Sequence, residues 1–496
     1  MANLRELALR TLLPAFAGPR PPAWALRMVE EGLGGFTFFG FNIVDAEQVA
    51  KLTATIRSAR PDVVIATDEE GGDVTRLSYS SGSPFPGNAA LGVIDDVELT
   101  RRVYRAIGTE LASVGITLDM APAVDVNSAD DNPTIGTRSF GADASRVAAH
   151  AAAAITGLQS TGVAACAKHF PGHGATEEDS HHDLPVVTAS LDLLNSRELP
   201  PFLAAIDAGV RAIMTAHIIV PALTGDVPAT FSERVLRGLL RDELGFTGAV
   251  VSDALEMRGA SGLIGIPEAA VRALIAGNDV LCLGGEYPRV PGADELVEAT
   301  VAAIVGAVEE GRLSEERLAE AASRSAELAR FGGVPGLGAV DLAELGIPAA
   351  RRAVKVEGAL PADLADCVII QLEPAATIAV GEVPWGLAPH RPGVETVRMT
   401  DAGLVWTTPP TSHDDVAAAL AVQAAGRSIV VVSRDTHRHA WARDFVEGLV
   451  RRHPGVVLVE MGWPAPWRPA GLAAYIATYG ASRANAGAVA EVLLGA

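Results

Sequence analysis

The segment between residues 168 and 182 is the densest in groups able to do chemistry. It contains four histidines and reads KHFPGHG (168–174) and then DSHH (179–182). Within it, Asp179 stands two residues before His181. A carboxylate at this spacing on a loop can accept a hydrogen bond from one imidazole nitrogen and leave the other to exchange a proton with a substrate. Asp179 and His181 are therefore a candidate acid/base pair, with a loop salt bridge as the alternative.

A metal site and a phosphate-binding loop are two other interpretations of this segment. His169 and His173 are four residues apart, but Pro171 and two glycines disfavour the helix that would align their imidazoles on one metal. The spacing of the P-loop motif is absent. We therefore predict that the protein uses no metal and no cofactor.

Two acidic segments follow apolar runs. Asp253 comes directly after the run AVVS (249–252), and a carboxylate there could attack an electrophilic carbon if nearby cations keep it ionised. Its alternative role is a cap on the following helix. Asp68 begins DEEGG (68–72), which could bind ligand hydroxyls, since glycine permits close backbone approach, or could form only a turn. Carboxylates combined with Arg or Lys groups suit a polyhydroxylated ligand such as a sugar.

Eight short apolar runs alternate with stretches of helical period and must supply the framework for these residues. Near-continuous apolar runs are typical of parallel strands whose two faces are both covered. Eight βα units in about 300 residues fit a closed (β/α)8 TIM-like barrel better than the alternative, a doubly wound open sheet. The runs are residues 12–18, 35–40, 63–72, 116–122, 163–172, 212–218, 249–255 and 279–285.

Five ionisable residues stand at the ends of these apolar runs. A barrel gathers the carboxyl ends of its strands on one face, where active sites of this fold are built. Residues that are distant in sequence are therefore expected to converge on one cavity. The five residues are Asp68, Lys168, His169, His217 and Asp253.

A second α/β pattern follows a long amphipathic tract (296–331) and a glycine-rich stretch. We predict a barrel catalytic domain over residues 1–335, a linker over 336–350 and a smaller α/β sandwich domain over 351–496. The second domain has no comparable cluster of ionisable groups and is expected to be structural or accessory. Its predicted strands are residues 367–372, 377–382, 428–434, 456–462 and 473–480.

Composition excludes several classes of protein. The chain of 496 residues has 39 Lys and Arg against 60 Asp and Glu, a formal net charge of −21, which argues against binding to nucleic acid. Three cysteines are too few for a disulfide framework or a zinc cluster. The N-terminus lacks a secretory pattern and no 18-residue stretch is typical of a membrane span, so we expect a cytoplasmic protein with no membrane partner.

These motifs resemble glycoside hydrolase family 3, in its β-N-acetylglucosaminidase branch. The combination of KHFPGHG and DSH distinguishes this branch, and residues 475–495 resemble the end of its two-domain members. The matching stretches run in family order and are DEEGGDVTRL (68–77), LDMAPAVDVN (118–127), NPTIGTRSFG (132–141), KHFPGHGATEEDSHHDLP (168–185), IMTAHI (213–218), residues 228–257 and AGNDVLCL (276–283).

The resemblance implies a retaining exo-hydrolase acting on peptidoglycan or chitin fragments. Asp253 would be the nucleophile that forms a glycosyl-enzyme intermediate. His181, supported by Asp179, would be the acid and base, where most retaining glycosidases use a second carboxylic acid. The resemblance also implies residues that hold the hydroxyls of an N-acetylglucosamine ring, with His217 close by; they are Asp68, Arg76, Arg138, Lys168 and His169.

The sequence departs from the family pattern in two places and leaves two other functions open. It has Ser-Asp-Ala at 252–254 where the family often shows Ser-Asp-Asp, and FTFFGFNI at 36–43 where an aliphatic strand is usual. Phosphate is an alternative acceptor, which would make the protein a phosphorylase, because a histidine repels this anion less than a carboxylate does. The intact Asp253, Asp179 and His181 argue against a sugar-binding or scaffold protein that has lost catalysis.

Overall fold

The computed structural model describes residues 3–176, 184–262, 264–284, 292–332, 342–404 and 412–494. Contacts divide the chain into two compact units. The first unit is formed from residues 1–70, 96–135 and 139–340, and the second from residues 71–95, 136–138 and 341–496.

The described part of the first unit contains eight parallel strands. Strands β2 to β7 pair in chain order, β1 pairs with β8, and a parallel bridge joins Val251 to Val280. Each strand lies within one of the eight predicted runs, and the α/β class with a curled parallel sheet is confirmed. The strands are β1 (Leu12–Pro14), β2 (Gly35–Phe38), β3 (Val64–Thr67), β4 (Leu118–Asp119), β5 (Ala164–Phe170), β6 (Ala212–Thr215), β7 (Ala249–Ser252) and β8 (Leu281–Leu283).

Helices alternate with the strands along the chain. The first nine are α1 (Leu4–Arg10), α2 (Ala23–Glu31), α3 (Ala46–Ala59), α4 (Asn88–Ile94), α5 (Val97–Ser113), α6 (Ala144–Gln159), α7 (Leu191–Leu193), α8 (Leu199–Asp207) and α9 (Pro221–Thr224). The others are α10 (Arg258–Ser261), α11 (Ile266–Ala276), α12 (Ala293–Glu309), α13 (Glu315–Arg330), α14 (Leu342–Leu345), α15 (Ile347–Ala353), α16 (His413–Gln423), α17 (Ala440–Val450) and α18 (Arg483–Leu494). Two π-helical segments are Leu194–Glu198 and Arg234–Glu243. Within the described ranges, no helix is both long enough and apolar enough to cross a membrane.

Local sequence signals explain where several of these helices begin and end. The side chains of Asp45, Asp96 and Asp143 accept hydrogen bonds from backbone N–H groups in the first turns of α3, α5 and α6, which satisfies donors that the helix itself leaves free. The amphipathic tract predicted over 296–331 is divided into α12 and α13. Gly311, with a φ of +72°, turns the chain between them.

One apolar core lies between the strands of the first unit. Every residue of β5 is buried, as expected for a parallel strand covered on both faces. Side chains from seven of the eight strands share this core; they include Leu13, Val64, Leu118, Cys166, Met214, Val251 and Cys282. Because the core fixes the strands, it also fixes the residues at their carboxyl ends.

The second unit contains a seven-stranded sheet. Its order is β12-β11-β10-β13-β14-β15-β9, with five parallel inner strands and an antiparallel strand at each edge. Ile370 packs with Leu420 of α16 and Phe445 of α17, whereas Ile369 packs with Val489 of α18, so helices cover both faces. The strands are β9 (Lys355–Gly358), β10 (Val368–Leu372), β11 (Thr396–Thr400), β12 (Gly403–Leu404), β13 (Ile429–Ser433), β14 (Val456–Glu460) and β15 (Ala474–Ala477).

The prediction of a strand over residues 377–382 is wrong. These residues form a turn, in which the N–H of Gly381 donates to the carbonyl of Thr377 at 2.8 Å. Gly381 has a φ of +72°, which a strand does not accommodate. Strand β9 was not predicted because its side chains are exposed, so it lacks an apolar run.

The predicted linker over 336–350 is described only in part. Residues 333–341 lie outside the described ranges, and the helices α14 and α15 begin within the rest of the interval. The domain boundaries stay a prediction.

Candidate active site

Lys168 lies at the centre of a buried charge cluster near the end of β5. Its Nζ is 2.7 Å from Asp68 Oδ1 and 2.7 Å from Glu70 Oε1. The side chains of Lys168 and Glu70 are each 2% exposed, whereas that of Asp68 is 18% exposed. Two carboxylates therefore hold the ammonium in place, and Asp68 is the member of the cluster most accessible to a ligand.

Asp119, at the end of β4, supports the backbone of this cluster. Its Oδ1 accepts the N–H of Glu69 at 2.9 Å, and its Oδ2 has no hydrogen-bond partner among the described residues. Burial raises the pKa of Asp119 well above its usual range, and the nearby Glu69 carboxylate adds to the effect. Asp119 therefore resists ionisation, which opposes a further negative charge beside Asp68.

His169 is oriented by a buried carboxylate. Its Nδ1 is 2.7 Å from Oδ2 of Asp125, whose Oδ1 accepts the N–H groups of His169 at 3.2 Å and His173 at 2.7 Å. Burial opposes ionisation, but His169 and His173 keep the pKa of Asp125 below its ordinary value. The bond to Nδ1 sets the plane of the His169 ring and so the direction in which Nε2 points.

His173 is buried and neutral. Its Nδ1 is 2.8 Å from Oγ1 of Thr176. Burial, together with the neighbouring His169, lowers the pKa of His173 to about 4. Burial removes the imidazole from bulk solvent, which disfavours its charged form, so folding and protonation of His173 oppose each other.

We expect a His173→Asn variant to lose less stability than the wild type as the pH falls from 6.5 to 4. The unfolded chain protonates His173 near the ordinary value of 6.5, whereas the folded protein does so only near 4. The unfolded state therefore binds more protons in this interval, and the unfolding free energy of the wild type falls with the pH, by about 3 kcal/mol in full. Urea unfolding at several pH values across the interval measures how steeply the unfolding free energy changes with pH. Urea unfolding at about pH 8 gives the difference in unfolding free energy that the substitution itself causes. Equal slopes for the two proteins would contradict the expectation.

The glycines of this loop are required by close packing. A Cβ on Gly174 would lie 1.9 Å from the carbonyl oxygen of Val126, and one on Gly172 would lie 2.9 Å from Oε2 of Glu198. Glu198 is buried beside Arg197, and burial raises the pKa of this glutamate to about 6. The loop that carries His169 and His173 is thus held against two neighbouring segments.

His217 and Asp253 lie at the ends of the neighbouring strands β6 and β7. His217 Nε2 donates to the carbonyl oxygen of Ala254 at 3.1 Å, and its Nδ1 is 2.8 Å from Oγ1 of Thr230. Asp253 Oδ1 accepts the N–H of Ala254 at 2.7 Å. Through these two hydrogen bonds, Ala254 links His217 to the backbone beside Asp253. Asp253 itself is only partly buried.

Arg76 and Arg138 belong to the second unit. Arg76 is buried, and its Nη2 donates to the carbonyl oxygen of Ala379 at 2.8 Å. Arg138 ends a short 3₁₀ turn, Gly136–Arg138, and its carbonyl oxygen accepts a hydrogen bond from Asn88 Nδ2 at 2.7 Å. Arg76 is therefore held through its guanidinium group and Arg138 through its backbone carbonyl.

The predicted acid/base pair, Asp179 and His181, lies in residues 177–183, outside the described ranges. The described chain ends before this segment at Thr176 and resumes at Leu184. The roles of Asp179 and His181 stay predictions.

Two buried acids of this region, Asp119 and Asp125, were missed in the sequence, whereas Glu70 belongs to the segment 68–72 that was singled out there. Asp119 lies within a predicted apolar run, at the end of β4, where a buried acid is unusual. That position was a signal for it. Asp125 gave no such signal, because its partner His169 is 44 residues away in the chain.

Residues 24–328 match the family model for the glycosyl hydrolase family 3 N terminal domain. The match covers more than half of the chain, and the chain therefore belongs to glycoside hydrolase family 3. The predicted family and enzyme class are confirmed.

Three relatives illustrate the similarity. The solved structure of a family 3 β-N-acetylglucosaminidase from Paenibacillus sp. str. FPU-7 is 31% identical, with a TM-score of 0.86 over 100% of this chain and 97% of that one. A β-hexosaminidase of Stenotrophomonas maltophilia (strain K279a) is 36% identical over 57% of this chain and 86% of its own length. β-Hexosaminidase A of Pseudoalteromonas piscicida is 34% identical over 62% of this chain, and the match spans only 55% of that enzyme.

Proposed function

We propose that the protein is a retaining exo-β-N-acetylglucosaminidase that removes terminal N-acetylglucosamine from peptidoglycan or chitin fragments. One observation carries the proposal: the partly exposed carboxylate of Asp253 follows β7, and His217, which follows the neighbouring strand β6, contacts the backbone of Ala254 beside it. Active sites of parallel α/β barrels are built at the carboxyl ends of the strands. The similarity to hexosaminidases and to a β-N-acetylglucosaminidase supports this substrate class.

The proposal includes the architecture of both domains. The strands β1 to β8 are proposed to close into a (β/α)8 barrel within residues 1–335, followed by a linker and a smaller α/β sandwich within 351–496. Parallel pairing in chain order, the pairing of β1 with β8 and the shared core support the barrel. Helices on both faces of the seven-stranded sheet support the sandwich.

In the proposed mechanism, Asp253 attacks the anomeric carbon and forms a covalent glycosyl-Asp intermediate. The bond from this carbon to the leaving oxygen breaks, and the His181 imidazolium gives its proton to that oxygen. Water then attacks the anomeric carbon from the opposite side, loses a proton to His181 and displaces Asp253. Asp179 holds the imidazole in orientation and stabilises its charged form. Two displacements at one carbon give net retention.

We propose that Asp68, Lys168, His169, Arg76 and Arg138 bind the hydroxyls of the sugar, with His217 beside the nucleophile. The contacts described above support this role, because groups whose orientation is set before binding lose little entropy when the substrate binds. Lys168 is held by two carboxylates and His169 by Asp125. A sugar would therefore meet donors and acceptors already in place.

A product assay tests the proposed function. The protein is incubated with chitobiose and with an N-acetylglucosaminyl-anhydromuropeptide, each with and without inorganic phosphate. We expect free N-acetylglucosamine in every case. N-Acetylglucosamine 1-phosphate as the product would show a phosphorylase instead, an alternative that the comparisons do not favour. Absence of any product from both substrates would contradict the proposal.

A further inference from the structure

The segments that carry Arg76 and Arg138 are built into the second unit. Residues 71–95 and 136–138 come from the first third of the chain, yet their contacts group them with residues 341–496. Arg76 donates to the carbonyl of Ala379, and the N–H of Glu382 donates to the hydroxyl of Tyr79 at 2.9 Å. Residues from the C-terminal part of the sequence thus shape the segment around Arg76.

The buried carboxylate of Asp73, within the 71–95 segment, contacts the other two segments of the second unit. Its side chain is 2% exposed. Its Oδ1 accepts the N–H of Ala481, just before α18, at 2.6 Å. Its Oδ2 accepts hydrogen bonds from Thr137 Oγ1 at 2.7 Å and from Arg434 Nη2, just after β13, at 3.2 Å. Asp73 therefore links three segments that are far apart in the sequence.

The turn before Arg138 is held from both sides. Asp73 accepts the hydroxyl of Thr137, and Asn88 donates to the carbonyl oxygen of Arg138. Arg138 itself is buried, so its side chain has little freedom to compensate for a displaced backbone. A charged acceptor makes the bond from Thr137 stronger than a bond between neutral groups.

We propose that Asp73 and Thr137 are positioning residues for Arg138. Asp73, fixed by Arg434 and Ala481, holds the hydroxyl of Thr137 and with it the backbone of the next residue. The inference rests on the proposed function, in which Arg138 binds sugar hydroxyls. A sugar contact is sensitive to displacements of well under an ångström, so loss of the bond weakens substrate binding without removing any group that touches the substrate.

Replacement of Thr137 by valine removes the hydroxyl and keeps the shape of the side chain. We expect the KM of Thr137→Val for 4-nitrophenyl N-acetyl-β-glucosaminide to rise about tenfold with little change in kcat, because a bond to a charged acceptor is lost and binding is affected more than chemistry. Thr137→Ser keeps the hydroxyl and should restore the wild-type KM. In an Arg138→Ala background, Thr137→Val should have no further effect.

A matched control is Ser428→Ala. Ser428 also donates its hydroxyl to a carboxylate of the second unit, the exposed Asp363, at 2.6 Å, and it lies directly before β13. The control should leave KM unchanged. Any one of four results would overturn the inference. Two concern the residue itself: an unchanged KM in Thr137→Val, or no return of the KM to the wild-type value in Thr137→Ser. The other two are an equal rise in KM when Thr137→Val is added to Arg138→Ala, and an equal rise in KM in Ser428→Ala.

Hydrogen–deuterium exchange separates this inference from the proposed function, because it needs no substrate. Peptides that span residues 136–138 should exchange faster in Thr137→Val than in the wild type or in Ser428→Ala. Unchanged exchange there would overturn the inference even if the enzyme is active. The wild-type protein could instead fail to hydrolyse the aryl substrate while Thr137→Val still shows faster exchange. That combination would contradict the proposed function and support the positioning of the turn.

Discussion

Replacement of Asp253 by alanine is expected to lower kcat for 4-nitrophenyl N-acetyl-β-glucosaminide by about 10³-fold or more. The variant has no carboxylate to attack the anomeric carbon, and a good leaving group cannot replace a missing nucleophile. Steady-state kinetics measures the loss. Added azide can enter the vacated space and attack the same carbon once, so it should restore part of the rate and yield the α-glycosyl azide, an inverted product.

Two further variants define what the Asp253 result means. Asp253→Asn retains the size of the side chain and should be as inactive as Asp253→Ala, because the amide is a poor nucleophile. Glu256→Gln neutralises a carboxyl three residues away, whose Oε2 accepts the N–H of Gly284 at 3.0 Å, and should keep activity within a few-fold of the wild type. Near wild-type turnover in Asp253→Ala, or a β-glycosyl azide as the product, would contradict the assignment of Asp253.

Replacement of Lys168 by methionine is expected to destabilise the protein by about 3–5 kcal/mol. The variant leaves Asp68 and the buried Glu70 without the ammonium that both contact at 2.7 Å, and a buried charge without its partner is costly. Urea unfolding measures the loss. A second substitution, Glu70→Gln, removes one of the two negative charges and should restore part of the stability, although the sugar contact proposed for Lys168 stays lost.

The same substitution at an exposed lysine is the control for Lys168. Lys51 pairs with Glu47 one helical turn away, and its side chain is 73% exposed. Lys51→Met should cost no more than about 1 kcal/mol, because water screens the pair and hydrates the charge that remains. An equal cost for the two substitutions, or no recovery on adding Glu70→Gln, would show that the cluster around Lys168 does not depend on its charge balance.

The eight strands of the first unit could be placed from the sequence because their signal is local. A strand that is covered on both faces must be apolar along most of its length, as residues 164–167 of β5 are, and such runs are visible without knowledge of their neighbours. Polar residues at the ends of these runs, such as Lys168 and Asp253, then indicate one edge of the sheet. Strand β9 is exposed and the turn at 377–382 is apolar, so the same rule failed for both.

By itself, the sequence determined the class of fold, the family and the residues of its motifs, because each of these is written in neighbouring positions. Only the tertiary structure decided which groups are held together: Asp125 with His169, Asp68 and Glu70 with Lys168. It also decided that the segments carrying Arg76 and Arg138 are built into the second unit. Hydrogen bonds and burial depend on distance in space, and partners such as Asp73 and Arg434 are separated by hundreds of residues in the chain. No local pattern can contain that information.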